Sequence, residues 1–124
     1  MLPAAHRLTE GEAFRHTVRA GRRAGTQNLV VHLLVEAGGS GPAQAGFVVS
    51  KAVGNAVVRN RVKRRLRHLT REHLAGVEAL PGRAVLAVRA LPPAAGASYA
   101  ELARDLERCL DKALPVPSSG TRAP

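Results

Sequence analysis

The sequence predicts a small α/β (α+β) sandwich, built in the order helix–strands–helix–strand–helix. Three observations carry this expectation. The chain has 124 residues, which suits one domain. Segments 28–36 and 84–90 are rich in Val and Leu, short, and flanked by turn residues, as strands are. Around them lie three stretches with helical apolar spacing, two of them opened by capping-box sequences. Helices and strands mixed in so short a chain pack as helices on one sheet, a two-layer arrangement. The domain is expected over residues 1–114, and Pro115–Pro124 reads as a disordered tail.

Taken in order, Thr9-Glu10-Gly11-Glu12 has the capping-box form, so a helix should run to about Ala20 and stop at Gly21. Phe14 and Val18, four apart, share one face of it. Residues 22–26 can add a short edge strand. Asn28–Glu36 reads as a strand, Gly38–Pro42 as a turn and Ala45–Ser50 as a second strand, which suggests an antiparallel pair. Asn55 is a candidate N-cap for the longest helix, from about Ala56 to Leu74 with Gly76 as its end. Its core stripe is Val58, Val62 and Leu69, with Leu66 at the margin. Leu80-Pro81-Gly82 is a turn and Ala84–Ala90 a strand. Ser98-Tyr99-Ala100-Glu101 repeats the capping box before a last helix that turns Leu102, Leu106, Cys109 and Leu110 inward. Aromatic residues make up only 2% of the chain, so Leu, Val and Ala must build the core.

The formal charge is +10, and it is unevenly placed. Residues 1–71 hold 13 Lys+Arg against three acids, whereas residues 72–124 hold six of each. No acid lies between Glu36 and Glu72. A one-sided positive field is the footprint of a polyanion binder. An anionic membrane surface would need bulky apolar anchors opposite the charge. The basic helix offers Val and Leu suited to a core instead, so no membrane partner is expected. One cysteine excludes an internal disulfide, and Met1–Leu8 lacks the apolar core of a signal peptide, so a cytoplasmic protein is expected.

The charge is densest at Arg59-Asn60-Arg61-Val62-Lys63-Arg64-Arg65-Leu66-Arg67, six cations in nine residues. On a helix, Asn60, Arg64, Arg67 and Arg71 lie opposite the Val58/Val62 stripe, while Arg59, Arg61, Lys63 and Arg65 flank it. A solvated surface helix usually mixes signs to gain i,i+4 pairs. Here Arg59/Lys63, Arg61/Arg65, Lys63/Arg67 and Arg67/Arg71 are all like-charged, each costing about 0.2–0.5 kcal/mol. The run also begins near the helix N-terminus, where the macrodipole disfavours cations. Repeated violations in one direction mark a functional surface, and nucleic acid fits it. Sixteen of the nineteen cations are Arg, whose planar fork suits phosphate.

Catalytic and metal sites in the chain itself are not expected. A Mg²⁺-dependent protein nuclease needs clustered carboxylates. Glu10 and Glu12 belong to a cap, Glu36 ends a strand and Glu72 lies beyond the cationic run. His6, His16, His32, His68 and His73 show no ligand spacing with Cys or acid, and Cys109 sits on an apolar stripe.

The segment Ser50-Lys51-Ala52-Val53-Gly54-Asn55-Ala56-Val57-Val58-Arg59-Asn60-Arg61-Val62-Lys63-Arg64 closely resembles the signature of the ribonuclease P protein family. The resemblance extends over roughly residues 7–113. It implies a left-handed strand–helix–strand crossover around the basic helix, against the usual hand, in a ribosomal protein S5 domain 2-like fold. It also implies the accessory subunit of a ribonucleoprotein endonuclease that trims the 5′ end of precursor tRNA. The catalytic centre, and Mg²⁺ with it, would belong mainly to the RNA, with no cofactor in the protein. The partners implied are the catalytic RNA and precursor tRNA, with no obligate protein partner. The RNA-binding residues would be Lys51, Asn55, Arg59, Asn60, Arg61, Lys63, Arg64, Arg65 and Arg67. Phe14, Val18, His32 and Val48 would line or border a cleft for the single-stranded 5′ leader. Family members often carry a second aromatic near Val18 and another near His32, and a second Lys at the position of Ala52. The cleft here is therefore poorer in stacking platforms. The competing readings are another structured-RNA binder, such as a ribosomal protein, and a stand-alone nuclease. The Arg-Asn-Arg signature argues against the first, and the missing carboxylate cluster against the second.

Overall fold

A computed structural model describes residues 6, 8, 11–36, 38–39, 41–78 and 82–113 of the chain. Helix α1 (Gly11–Ala20) leads into strands β1 (Arg22–Gly25), β2 (Leu29–Glu36) and β3 (Gln44–Val49). Helix α2 (Ala56–Glu78), strand β4 (Arg83–Ala90) and helix α3 (Tyr99–Ala113) follow. Short 3₁₀ turns at Lys51–Val53 and Pro92–Gly96 precede α2 and α3. Thr9, Glu10, Leu80, Pro81 and Pro115–Pro124 lie outside the described residues, so the first capping box, part of one turn and the expected tail are not described.

The four strands form one sheet in the order β1-β2-β4-β3. The expected antiparallel pairing of 28–36 with 45–50 does not occur. β4 inserts between them, antiparallel to β2 and parallel to β3. The reason lies in β4 itself. Ala84, Val85, Leu86, Ala87 and Val88 are all buried, so both of its faces need cover, and only a central position gives that. β3 and β4 are parallel neighbours joined through α2, as a crossover connection requires and as the family resemblance implies.

Alternation along the strands separates two faces. Leu29, Val31 and Leu33 of β2, Ala45 and Val49 of β3, and Leu86, Val88 and Ala90 of β4 belong to the main core. Onto it α2 brings Val62, Leu66 and Leu69, and α3 brings Leu102, Leu106 and Cys109. Leu66 is fully buried, so it lies at the centre of the α2 stripe rather than the margin, while Val58 is only half-buried. α2 also runs through Gly76 to Glu78. An added Cβ at Gly76 would meet nothing within 4 Å, so this glycine answers no steric demand and makes no C-cap.

Residues of the opposite register, including Val30, Val85 and Ala87, are buried outside that core. This is the face that α1 covers. Gly21 does stop α1, through close approach rather than a left-handed cap. A Cβ there would lie 2.7 Å from the Thr17 carbonyl oxygen and 2.9 Å from that of Leu33.

Candidate RNA interface

The basic surface is set up by the N-terminus of α2. Asn55 caps the helix, its Oδ1 accepting the Val58 N–H at 2.9 Å. That fixes where the first turn starts and so which side chains face inward. With Val62, Leu66, Leu69 and Leu74 buried, the cations are forced to the flanks and the outer face. Asn60, Arg64 and Arg71 are exposed. Arg59, Arg61, Lys63, Arg65 and Arg67 are half-buried, their stems lying along the protein. Lys51 and Asn55 are exposed at the head of the helix.

Three of these arginines are partly committed to the fold. Arg59 Nε donates to the Gly54 carbonyl at 3.1 Å. Arg61 Nη2 and Arg65 Nη1 reach the carbonyls of Ala95 and Ala97, each at 3.4 Å. These long contacts tie α2 to the segment entering α3. Among the described residues, the ion pairs are Arg15–Glu12, His68–Glu72 and Arg83–Glu36, and none uses a cation from Arg59 to Arg67. The field of the helix is therefore uncompensated.

The second surface lies on the α1 face of the sheet. Phe14 and Val18 are half-buried. Phe14 rests on Gly46 of β3, where an added Cβ would come within 3.0 Å of the Phe14 ring and 3.1 Å of the Leu8 side chain. Gly46 is thus needed for Phe14 of α1 and Leu8 to approach β3. Val48 follows Gly46 on the same face and pairs with Arg89 of β4. His32 of β2 pairs with Arg23 on one side and Ala87 on the other, so Arg23, His32, Val48 and Arg89 all share this face. β2 and β3 flank β4, which sets His32 about 10 Å from the line of Gly46 and Val48.

His32 is nearly buried. Burial pushes its pKa down, and the positive charges of Arg23 and Arg89 add to the effect. At neutral pH the ring is uncharged, with two exposed guanidinium groups near it. Sequence pattern alone does not single out Arg23 and Arg89. Arg89 could have been found, because it is the only charged residue in AVLAVRA and its register sets it opposite Leu86 and Val88.

Among the described residues, the one carboxylate beside the α2 surface is Glu72, 3.7 Å from His68 Nε2. Among the described residues no group of three or more His, Cys, Asp or Glu could hold a metal ion. The described residues therefore offer no ligand cluster for Mg²⁺, which the resemblance assigns mainly to the RNA. Cys109 is a free, buried thiol.

Comparison with known proteins agrees with this arrangement. The family described as Ribonuclease P matches residues 2–114. A ribonuclease P protein component from Nocardioides sp. is 72% identical over 111 residues, covering 89% of this chain and 92% of that protein. One from Streptomyces bikiniensis is 53% identical over 129 residues, covering 98% and 100%. Among solved structures, the Staphylococcus aureus RNase P protein superposes with a TM-score of 0.74 at 25% identity, covering 88% of this chain and 95% of that one. The Thermotoga maritima RNase P protein, at 22% identity, shares the fold with a TM-score of 0.67, covering 82% and 92%.

Proposed function

Because the chain belongs to the ribonuclease P protein family and is a subunit of that ribonucleoprotein endonuclease, we propose that α2 binds the catalytic RNA and that the cleft beside α1 binds the 5′ leader of precursor tRNA. The observation that carries the first assignment is the cationic run Arg59–Arg67, with no carboxylate paired to it among the described residues. Asn60, Lys63, Arg64 and Arg67 are the main RNA contacts on this reading. Arg59, Arg61 and Arg65 contribute charge while also bracing the loops beside the helix. Mg²⁺ belongs to the RNA, and the protein's role is to hold substrate and RNA together. A cytoplasmic location, where precursor tRNA is made, is supported by the single free cysteine.

The cleft assignment rests on the residues that share the α1 face of the sheet. Phe14 offers one aromatic platform, and base–aromatic stacking needs no particular sequence. Arg23 and Arg89 can meet leader phosphates, and a phosphate beside His32 would favour its protonated form.

The test is the affinity of Arg64→Ala for a transcript of the cognate ribonuclease P RNA, measured across salt concentrations. Arg64 is exposed and makes no hydrogen bond or ion pair among the described residues, so the fold should be unaffected. Each lost phosphate contact lowers the log–log salt slope by about 0.9 or less. Wild-type affinity and slope in Arg64→Ala, Arg67→Ala and the double variant would show that α2 is not the RNA face.

A further inference from the structure

Tyr99 is the one exposed aromatic side chain among the described residues, and its position is fixed by local sequence. Ser98 Oγ accepts the Glu101 N–H at 3.0 Å and Glu101 Oε1 accepts the Ser98 N–H at 2.7 Å. This reciprocal cap makes Tyr99 the first residue of α3. The Arg65–Ala97 contact holds that helix start beside α2. Tyr99 remains 39% exposed, and its ring lies 6.2 Å from that of His68 at 49°. The two rings, with Asn60, Lys63, Arg64 and Arg67, line a groove of about 640 Å³.

An exposed tyrosine alone needs no explanation. This one sits in a concave site whose other side chains are cationic or polar, and one nearby acid, Glu72, lies 3.7 Å from His68 Nε2. A ring face beside several cations is the combination that binds a base and its phosphate. The volume falls in the range of roughly 300–1,000 Å³ typical of small-ligand clefts, so a single nucleotide fits. A base within a duplex has both faces covered by its neighbours and offers Tyr99 nothing to stack on. We propose that the groove between α2 and the start of α3 captures one unstacked nucleotide of the RNA held by α2, its base on Tyr99 and its phosphate among Lys63, Arg64 and Arg67. This rests on α2 being the RNA face, and it makes Tyr99 a binding residue.

The cognate ribonuclease P RNA is titrated with wild-type protein, Tyr99→Leu, Tyr99→Phe and Arg64→Ala. Tyr99→Leu should bind about 5- to 150-fold more weakly, as expected for one lost stack, with the salt slope unchanged because no charge is removed. Tyr99→Phe should bind within about twofold of wild type, the ring being what matters. Wild-type affinity in Tyr99→Leu, alongside weakened binding and a lower salt slope in Arg64→Ala, overturns the nucleotide pocket and leaves the RNA face standing. Wild-type behaviour in both removes both. Equal weakening in Tyr99→Leu and Tyr99→Phe also overturns the pocket, since it would assign the effect to the hydroxyl. A fourth measurement needs no variant. Tyr99 is the sole tyrosine, so its nitration by tetranitromethane can be read by mass spectrometry in free protein and in complex. Protection in the complex is expected, and equal nitration in both overturns the proposal.

Discussion

Replacing Phe14 by Leu separates a leader-binding residue from a packing residue by the sizes of two effects. Phe14 is half-buried against Gly46. Leu keeps an apolar side chain of similar volume, and swaps of that kind cost under about 1.5 kcal/mol even in a full core. At a half-buried site roughly half of that is expected, so the folded state should lose less than ~1 kcal/mol. Loss of a base–aromatic stack costs about 1–3 kcal/mol, which is about 5- to 150-fold in affinity. The leader effect therefore exceeds the stability effect. The assay measures holoenzyme affinity for precursor tRNA carrying a leader and for mature tRNA, beside denaturant unfolding of the free protein. Weakened precursor binding with unchanged mature tRNA binding is expected. Val18→Phe should strengthen precursor binding, because it adds a second platform four residues along the same helix. Equal losses for both ligands in Phe14→Leu, with a stability loss above about 1.5 kcal/mol, would make Phe14 a core residue. Unimproved binding by a folded Val18→Phe would argue against leader contact at α1.

Two further perturbations follow from buried polar groups. His32 has a folded-state pKa below the ordinary 6.5 through burial and its arginine neighbours. Its contribution to stability is complete above that value and is lost as pH falls below it, with a slope of at most about 1.36 kcal/mol per pH unit. Unfolding midpoints of wild type should therefore fall faster than those of His32→Gln between about pH 6.5 and pH 5, and parallel curves would refute the assignment. Leader binding should respond oppositely, strengthening as pH falls, because a bound phosphate favours the protonated ring. Thr70 is fully buried and its Oγ1 has no hydrogen-bond partner among the described residues. Thr70→Val removes an unsatisfied hydroxyl worth about 1–3 kcal/mol of desolvation, so unfolding measurements should show stabilisation by roughly 1 kcal/mol, and a destabilised Thr70→Val would mean the hydroxyl is satisfied in solution.

Local rules succeeded where local chemistry decides the outcome. The Ser98 capping box and the Asn55 cap are both formed, because each depends on side chains within three residues. Strand pairing failed because it is decided at long range. Adjacent strands separated by Gly38–Pro42 look like a hairpin, but β4, some forty residues later, has the stronger claim on both neighbours because it must be buried on both faces. The α2 stripe was displaced for a related reason. Spacing alone favours Val58, Val62 and Leu69, whereas tertiary packing buries Leu66 and Thr70 most deeply. The cationic run was legible because charge needs no tertiary context. The groove beside Tyr99 was not, since α2 and α3 supply its two sides from positions thirty residues apart.

The cleft itself follows from unequal cover on the two faces of the sheet. α2 and α3, with 23 and 15 residues, extend roughly 34 and 22 Å at 1.5 Å per residue. Lying side by side, they span most of a four-stranded sheet about 19 Å wide. α1 has 10 residues, about 15 Å of a rod some 10 Å across, and cannot cover the other face. The sequence matches that shortfall. Under α1 the sheet presents Gly46, Val85 and Ala87, small or apolar, while Arg23 and Arg89 are exposed beyond it. The same strands carry the main core on their other register, with Leu86 and Val88 of β4 alternating with Ala87 and Arg89. The α2 surface and the cleft are therefore held on opposite sides of one rigid sheet, so an RNA bound to α2 and a strand in the cleft take a fixed separation. On the proposed reading, the protein subunit contributes to cleavage through that separation, by fixing where the substrate enters relative to the RNA.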